Sequence, residues 1–170
     1  MPLPDIIAPG LDVLFCGINP GLVAAASGEH FAGRSNRFWR VIHLAGFTDE
    51  QLTPAQARLI LDYGYGLTTF VQRPTAGADE VTREEFEAAG DAFRKRVARY
   101  KPRVVAFLGK AAYASLSNQR ILPWGRQSTP IAQSIAWVLP NTSGRNRAFT
   151  LDQLVEAYSA LREAIGPARD

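Results

Sequence analysis

The chain has 170 residues, 46% hydrophobic and 21% charged, which fits one soluble globular domain and excludes a disordered or fibrous class. A formal net charge of +3 and a pI of about 9.3 permit an acidic partner without requiring one. A single cysteine, two histidines and no apolar run of spanning length exclude a disulfide framework, make a metal site unexpected, and lead us to expect a cytoplasmic protein with no membrane contact.

In chain order, residues 12–16 form a short apolar run closed by Gly17 and read as a buried strand, with Cys16 as an inert buried thiol. Ser35 precedes a helical stretch through Phe38, Val41, Ile42 and Ala45 that stops at Gly46. Thr53-Pro54 opens a further helix, with proline in the first turn. Residues 66–71 read as a strand. Thr82-Arg83-Glu84-Glu85 is a capping box for a long helix carrying Phe86, Phe93, Val97 and Tyr100 on one stripe, ended by Lys101-Pro102. Residues 104–108 form a second strongly apolar strand, and Gly109 starts a helix through Tyr113. Residues 135–139 form another strand, broken by Pro140, and 152–165 a final amphipathic helix.

Apolar strands without alternation, separated by helices, indicate an α/β fold: a three-layer α/β/α sandwich around a central, mainly parallel sheet, as one domain over residues 1–170. Ligands in such folds bind beyond the carboxyl ends of the strands. That rule selects residues 17–36, 109–113 and 140–147 as the segments that build a site.

The first segment begins Gly17-Ile18-Asn19-Pro20-Gly21, a tight turn whose backbone can approach a flat heterocycle closely. The Asn19 carboxamide can orient a water but cannot act as a strong base. A plain turn with Asn19 capping local backbone is the alternative. Phe31 can stack on a base or belong to the core, and Asn36 and Arg37 can face the site or DNA. The segment Pro140 to Arg147 is small, polar and basic; it suits insertion into DNA and phosphate contact, or a surface turn. Further arginines and lysines cluster at 34–40 and 94–103, and solvated helix faces are the preferred reading of the second cluster.

Gly17-Ile18-Asn19-Pro20-Gly21, Asn36-Arg37-Phe38-Trp39, Leu108-Gly109-Lys110 and Pro140-Asn141-Thr142-Ser143-Gly144 together resemble the mismatch-specific uracil-DNA glycosylases, bacterial relatives of thymine-DNA glycosylase. The motifs keep their order and spacing from about residue 5 to about residue 163. The resemblance implies a monofunctional, cofactor-free enzyme that extrudes uracil from double-stranded DNA, by preference opposite guanine. It implies a base held against the Gly17–Ile18 backbone and stacked on Phe31, with Asn36 and Asn141 beside it and Asn19 placing the attacking water. Ser143, Gly144, Arg145, Asn146 and Arg147 would enter the duplex and meet the widowed guanine, and Lys110 would meet a phosphate. A monomer is expected.

Three positions depart from the family pattern. Arg145 stands where leucine is usual at the intercalating tip, and Val23-Ala24 stand where serine is common. Gly90-Asp91-Ala92 replaces Gly-Gly-Arg in the long helix. Because a mid-helix glycine suggests close approach of something, Asp91 becomes a candidate helper of Asn19, against the alternative of a surface ion pair with Lys95. Two other classes compete: an enzyme on free nucleotides, for which no phosphate-binding Gly-x-x-x-x-Gly-Lys motif exists, and a DNA-binding module without catalysis.

Overall fold

The computed structural model describes residues 3–166. Five strands form one sheet in the order β2-β1-β3-β5-β4, where β1 is Val13–Gly17, β2 Tyr65–Thr69, β3 Val104–Leu108, β4 Gly125–Arg126 and β5 Ile135–Leu139. All neighbours run parallel except β4, which pairs antiparallel with β5 at the edge. The helices are α1 (Leu22–Ser27), α2 (Phe38–Leu44), α3 (Arg83–Tyr100), α4 (Ala111–Ser117) and α5 (Leu151–Ile165), with a 3₁₀ helix at Pro54–Tyr63.

The strands are continuously apolar because both faces are covered. Successive side chains point to opposite sides. Val13 and Phe15 of β1, and Val104, Ala106 and Leu108 of β3, meet Trp39, Ile42, Ile60, Leu154 and Tyr158 on one face. Cys16, Val105 and Phe107 meet Phe86, Phe93, Val97 and Tyr113 on the other. Burial pushes the Cys16 thiol up, so it is an inert core group.

The helix starts follow local chemistry. Thr82 accepts from Glu85 N–H at 3.2 Å and caps α3 as the sequence implies, and Thr150 caps α5 in the same way through Gln153. At α2 the Asn36 Oδ1 accepts the Phe38 N–H at 3.0 Å, and the helix begins at Phe38 rather than directly after Ser35.

Three elements differ from expectation. Helix α1 lies inside what reads as loop, because six residues between glycines carry no periodic signal. Strand β4 is two residues long and has no apolar pattern to betray it. The basic run at 94–103 is partly built into the fold rather than simply solvated. Arg96 pairs with Asp5 at 3.5 Å and donates to Thr68 Oγ1 and the Thr69 carbonyl, and Arg103 pairs with Asp12 at 3.2 Å.

The order places β1 between a strand that follows it and one that arrives from the other side. Its carboxyl end is therefore the topological switch point of the sheet.

Candidate active site

A cavity of about 360 Å³ sits over that point. Gly17 at the end of β1 and residues 18–24 after it, Thr69 at the end of β2 and residues 75–78 after it, Leu108 at the end of β3, and residues 141–145 after β5 line it, with residues 30–33, Ser35 and Asn36 closing one side. Of the three segments chosen from the sequence, those after β1 and β5 thus meet around one opening, while residues 109–113 after β3 contribute nothing to its wall. The segment after β2 is a component that the sequence reading passed over.

The β1 turn is held open by its neighbours. The Gly17, Ile18 and Pro20 carbonyls accept from Phe70, Val71 and Thr75 N–H at 2.9, 2.9 and 3.1 Å. Among the described residues no acceptor meets the Ile18 or Asn19 amide N–H, which leaves both as donors for a ligand. A Cβ on Gly17 would lie 3.9 Å from the Phe31 ring, ordinary contact, which sets that ring directly beside the end of β1.

Asn19 has a fixed orientation. Its Nδ2 donates to the Arg73 carbonyl and to Thr75 Oγ1, both at 2.8 Å. The carbonyl can only accept. Thr75 gives its own proton to the Gly77 carbonyl at 2.7 Å, so it too must accept from Asn19. Both amide protons are spent, and Oδ1 is the end left to receive a proton from water. Thr75 is buried, and its segment is anchored by a bidentate Arg73–Glu85 pair at 2.8 and 2.9 Å. The Arg73 guanidinium holds the Glu85 carboxyl down to about 2.

Phe31 adopts a left-handed backbone at φ 57°. A non-glycine residue there costs roughly 1–3 kcal/mol and persists only where its surroundings impose it. They do so through the residue before it, His30. His30 Nε2 donates to the Pro4 carbonyl at 2.6 Å, and Trp39 Nε1 donates to the His30 carbonyl at 3.0 Å. Burial lowers the His30 pKa, which favours the neutral ring. Phe31 then stacks on Phe38 with centroids 4.0 Å apart and planes 18° from parallel, forming an aromatic wall of the cavity.

The rim after β5 is closely fitted. Asn36 Oδ1 accepts from the buried Thr142 hydroxyl at 2.8 Å, which ties the two loops together. Asn141 Oδ1 accepts from Ser143 N–H at 3.3 Å. A Cβ on Gly144 would lie 2.4 Å from Ser35 Cβ, so only glycine fits there. Arg145 reaches across the mouth, with its guanidinium 2.7 Å from where a Gly77 Cβ would be. Asn146 and Arg147 lie outside the cavity wall. Asn146 is used internally, donating to the Asn141 carbonyl at 2.9 Å and accepting from Ala148 N–H at 3.3 Å, while Arg147 is exposed. Lys110 is exposed at the start of α4, 4.5 Å above the Trp124 ring.

Asp91 is not brought to the site. It is on the outer face of α3, 94% exposed, 4.0 Å from Arg94 rather than paired with Lys95, and absent from the cavity wall. Gly90 is buried, and a Cβ there would meet Arg94 Nη1 at 3.5 Å and Leu116 of α4 at 3.6 Å, both ordinary contacts, so no close approach requires the glycine. With its carboxylate in solvent and away from the cavity wall, Asp91 is withdrawn as a helper of Asn19. Among the described residues no carboxylate and no lysine lines the cavity.

A family model described as the uracil DNA glycosylase superfamily matches residues 4–162. The fold is similar to a solution NMR structure from Methanosarcina acetivorans, provisionally described as a uracil DNA glycosylase. The TM-score is 0.63 at 18% identity, over 95% of this chain and 98% of that one, a likeness that establishes the fold. With nearly its whole length inside the family match, the chain belongs to the uracil DNA glycosylase superfamily.

Proposed function

We propose that the protein hydrolyses the N-glycosidic bond of uracil, or a closely related damaged pyrimidine, in double-stranded DNA, by preference in mismatches with guanine. The observation that carries this reading is the orientation of Asn19. Asn19 lines the cavity, and with both carboxamide protons committed its one remaining polar end is the acceptor Oδ1.

The chemistry follows from the wall. Breaking the bond leaves positive charge on the sugar and negative charge on the departing base. The extruded ring stacks on Phe31, and its oxygens take hydrogen bonds from the Ile18 and Asn19 amides, which stabilise the anion. Asn19 Oδ1 accepts from a water and aims it at C1′. No carboxylate among the described wall residues can take the proton of that water, so as C1′–O forms and C1′–N breaks the proton passes to the departing uracil anion or to solvent, and the reaction depends on a good leaving group and turns over slowly. With no lysine in the wall to form a Schiff base, the reaction ends at hydrolysis, without strand cleavage.

Ser143, Gly144 and Arg145 on the rim fill the space vacated by the base, with Arg147 and Lys110 on phosphates. Asn36 and Asn141 shape the base pocket through the loops they tie. Ala24 lines the wall and Val23 the mouth, which makes that side apolar and suits bases without a partner for a hydroxyl there. The chain acts as a single domain and a monomer, without a cofactor, in the cytoplasm. No described helix is long and apolar enough to cross a membrane.

The test is incubation with a panel of labelled duplexes carrying uracil opposite each base, followed by hot alkali. Cutting at the uracil, strongest opposite guanine and lost in Asn19→Ala, is the expected result. Uncut strands throughout would leave a DNA-binding module.

A further inference from the structure

We propose that Arg37 is a positioning residue that shapes the rim loop for entry into the duplex, an inference that rests on the glycosylase reading. Its guanidinium donates to four backbone carbonyls of one loop. Nε meets Thr142 at 3.4 Å and Nη1 meets Phe149 at 2.9 Å, while Nη2 meets both Ser143 and Asn146 at 2.9 Å. The Arg37 backbone N–H adds a second bond to the Thr142 carbonyl at 3.0 Å. The loop is therefore wrapped around one cation, with those carbonyls turned inward.

Two consequences follow. With its carbonyls gathered beneath it, the loop presents Gly144, Arg145 and Arg147 outward, where all three are exposed. Among the described residues no carboxylate pairs with Arg37, so its charge is shared only with neutral carbonyls and remains directed at the rim. The base of the arch is pinned separately, by Tyr158 donating to the Pro140 carbonyl at 2.8 Å. Arg37 controls the tip.

A lysine cannot replace it. The guanidinium offers five donors in a rigid planar fork, and an ammonium concentrates three at one point. Arg37→Lys keeps the charge and loses the span. The loop should then fail where it must fill a gap in the stack, and matter little where no gap exists.

The experiment compares single-turnover excision from a G·U duplex with excision of uracil in a one-nucleotide bulge, alongside amide hydrogen exchange over residues 141–149. Arg37→Lys is expected to slow the G·U duplex at least about tenfold and the bulge less than about threefold. Exchange at 141–149 should rise about tenfold or more while β3 stays protected. Asn146→Ala, which loosens the same arch without touching the cation, should show the same split in smaller measure and serves if Arg37→Lys does not fold. Equal losses on both substrates, or unchanged exchange at 141–149, would overturn the proposal. Should the wild type excise from neither substrate, the glycosylase reading falls, and exchange at 141–149 alone decides what Arg37 does.

Discussion

Replacing Thr75 by valine isolates the device that aims Asn19. The two side chains have nearly the same shape, so the cavity wall keeps its volume. The substitution removes the acceptor for one of the two Asn19 amide protons and the donor to the Gly77 carbonyl. Thr75 is buried, so water does not readily replace either bond. Leaving a buried polar group without its partner costs about 1–3 kcal/mol. If that cost is felt as freedom of the Asn19 carboxamide to turn, excision slows by about 5- to 150-fold. The assay is single-turnover cutting of a G·U duplex with enzyme in excess, so that product release does not enter. Thr75→Ser restores the hydroxyl and should stay within about threefold of wild type. A Thr75→Val rate within about twofold of wild type, with Asn19→Ala inactive, would refute the claim that this contact orients the water.

Phe31→Ala removes the aromatic wall facing the base, and loss of a base–aromatic stack of about 1–3 kcal/mol should lower excision about 5- to 150-fold in the same assay. Gly144→Ala drives a Cβ to 2.4 Å from Ser35 Cβ and 2.5 Å from its Oγ. It should cost about 1–3 kcal/mol in urea unfolding, and Ser35→Gly in the same chain should return much of it; a G144A variant as stable as wild type would show that the loops have room. The Arg73–Glu85 pair sets a pH dependence. Its carboxyl is held below the ordinary value of 4.5, so its contribution is present above that value and lost as pH falls towards about 2. The Tm difference between wild type and Glu85→Gln should be constant above about pH 5 and close below it; a gap that widens with acid would contradict the pairing.

Much of the fold was legible because burial on both sheet faces writes itself as unbroken apolar runs: β1, β3 and β5 emerge nearly residue for residue. What stayed hidden lacked that signature. Gly125-Arg126 forms a strand only because β5 lies beside it, and the α1 segment is too short for a helical period to show. At the site, turns following two apolar strands led to Asn19, Phe31 and the 141–145 rim. The same rule applied after residue 71 points to Thr75 and Gly77, the residues that orient Asn19 and receive Arg145. Asp91 shows the opposite error. A glycine in a helix can signal close approach, but at Gly90 a Cβ would meet its neighbours at ordinary distances of 3.5 and 3.6 Å, so the glycine points to no visitor and gives Asp91 no role. Arg37 reads as facing the site or DNA, and only the folded loop shows its guanidinium turned instead to the carbonyls of Thr142, Ser143, Asn146 and Phe149.

The most direct test of the account is a structure of the Asn19→Ala protein bound to a G·U duplex. The uracil should lie outside the helix with its ring on Phe31 and its oxygens on the Ile18 and Asn19-position amides, while residues 143–145 occupy the gap. A uracil still paired with guanine, with the protein bound elsewhere on the duplex, would contradict it.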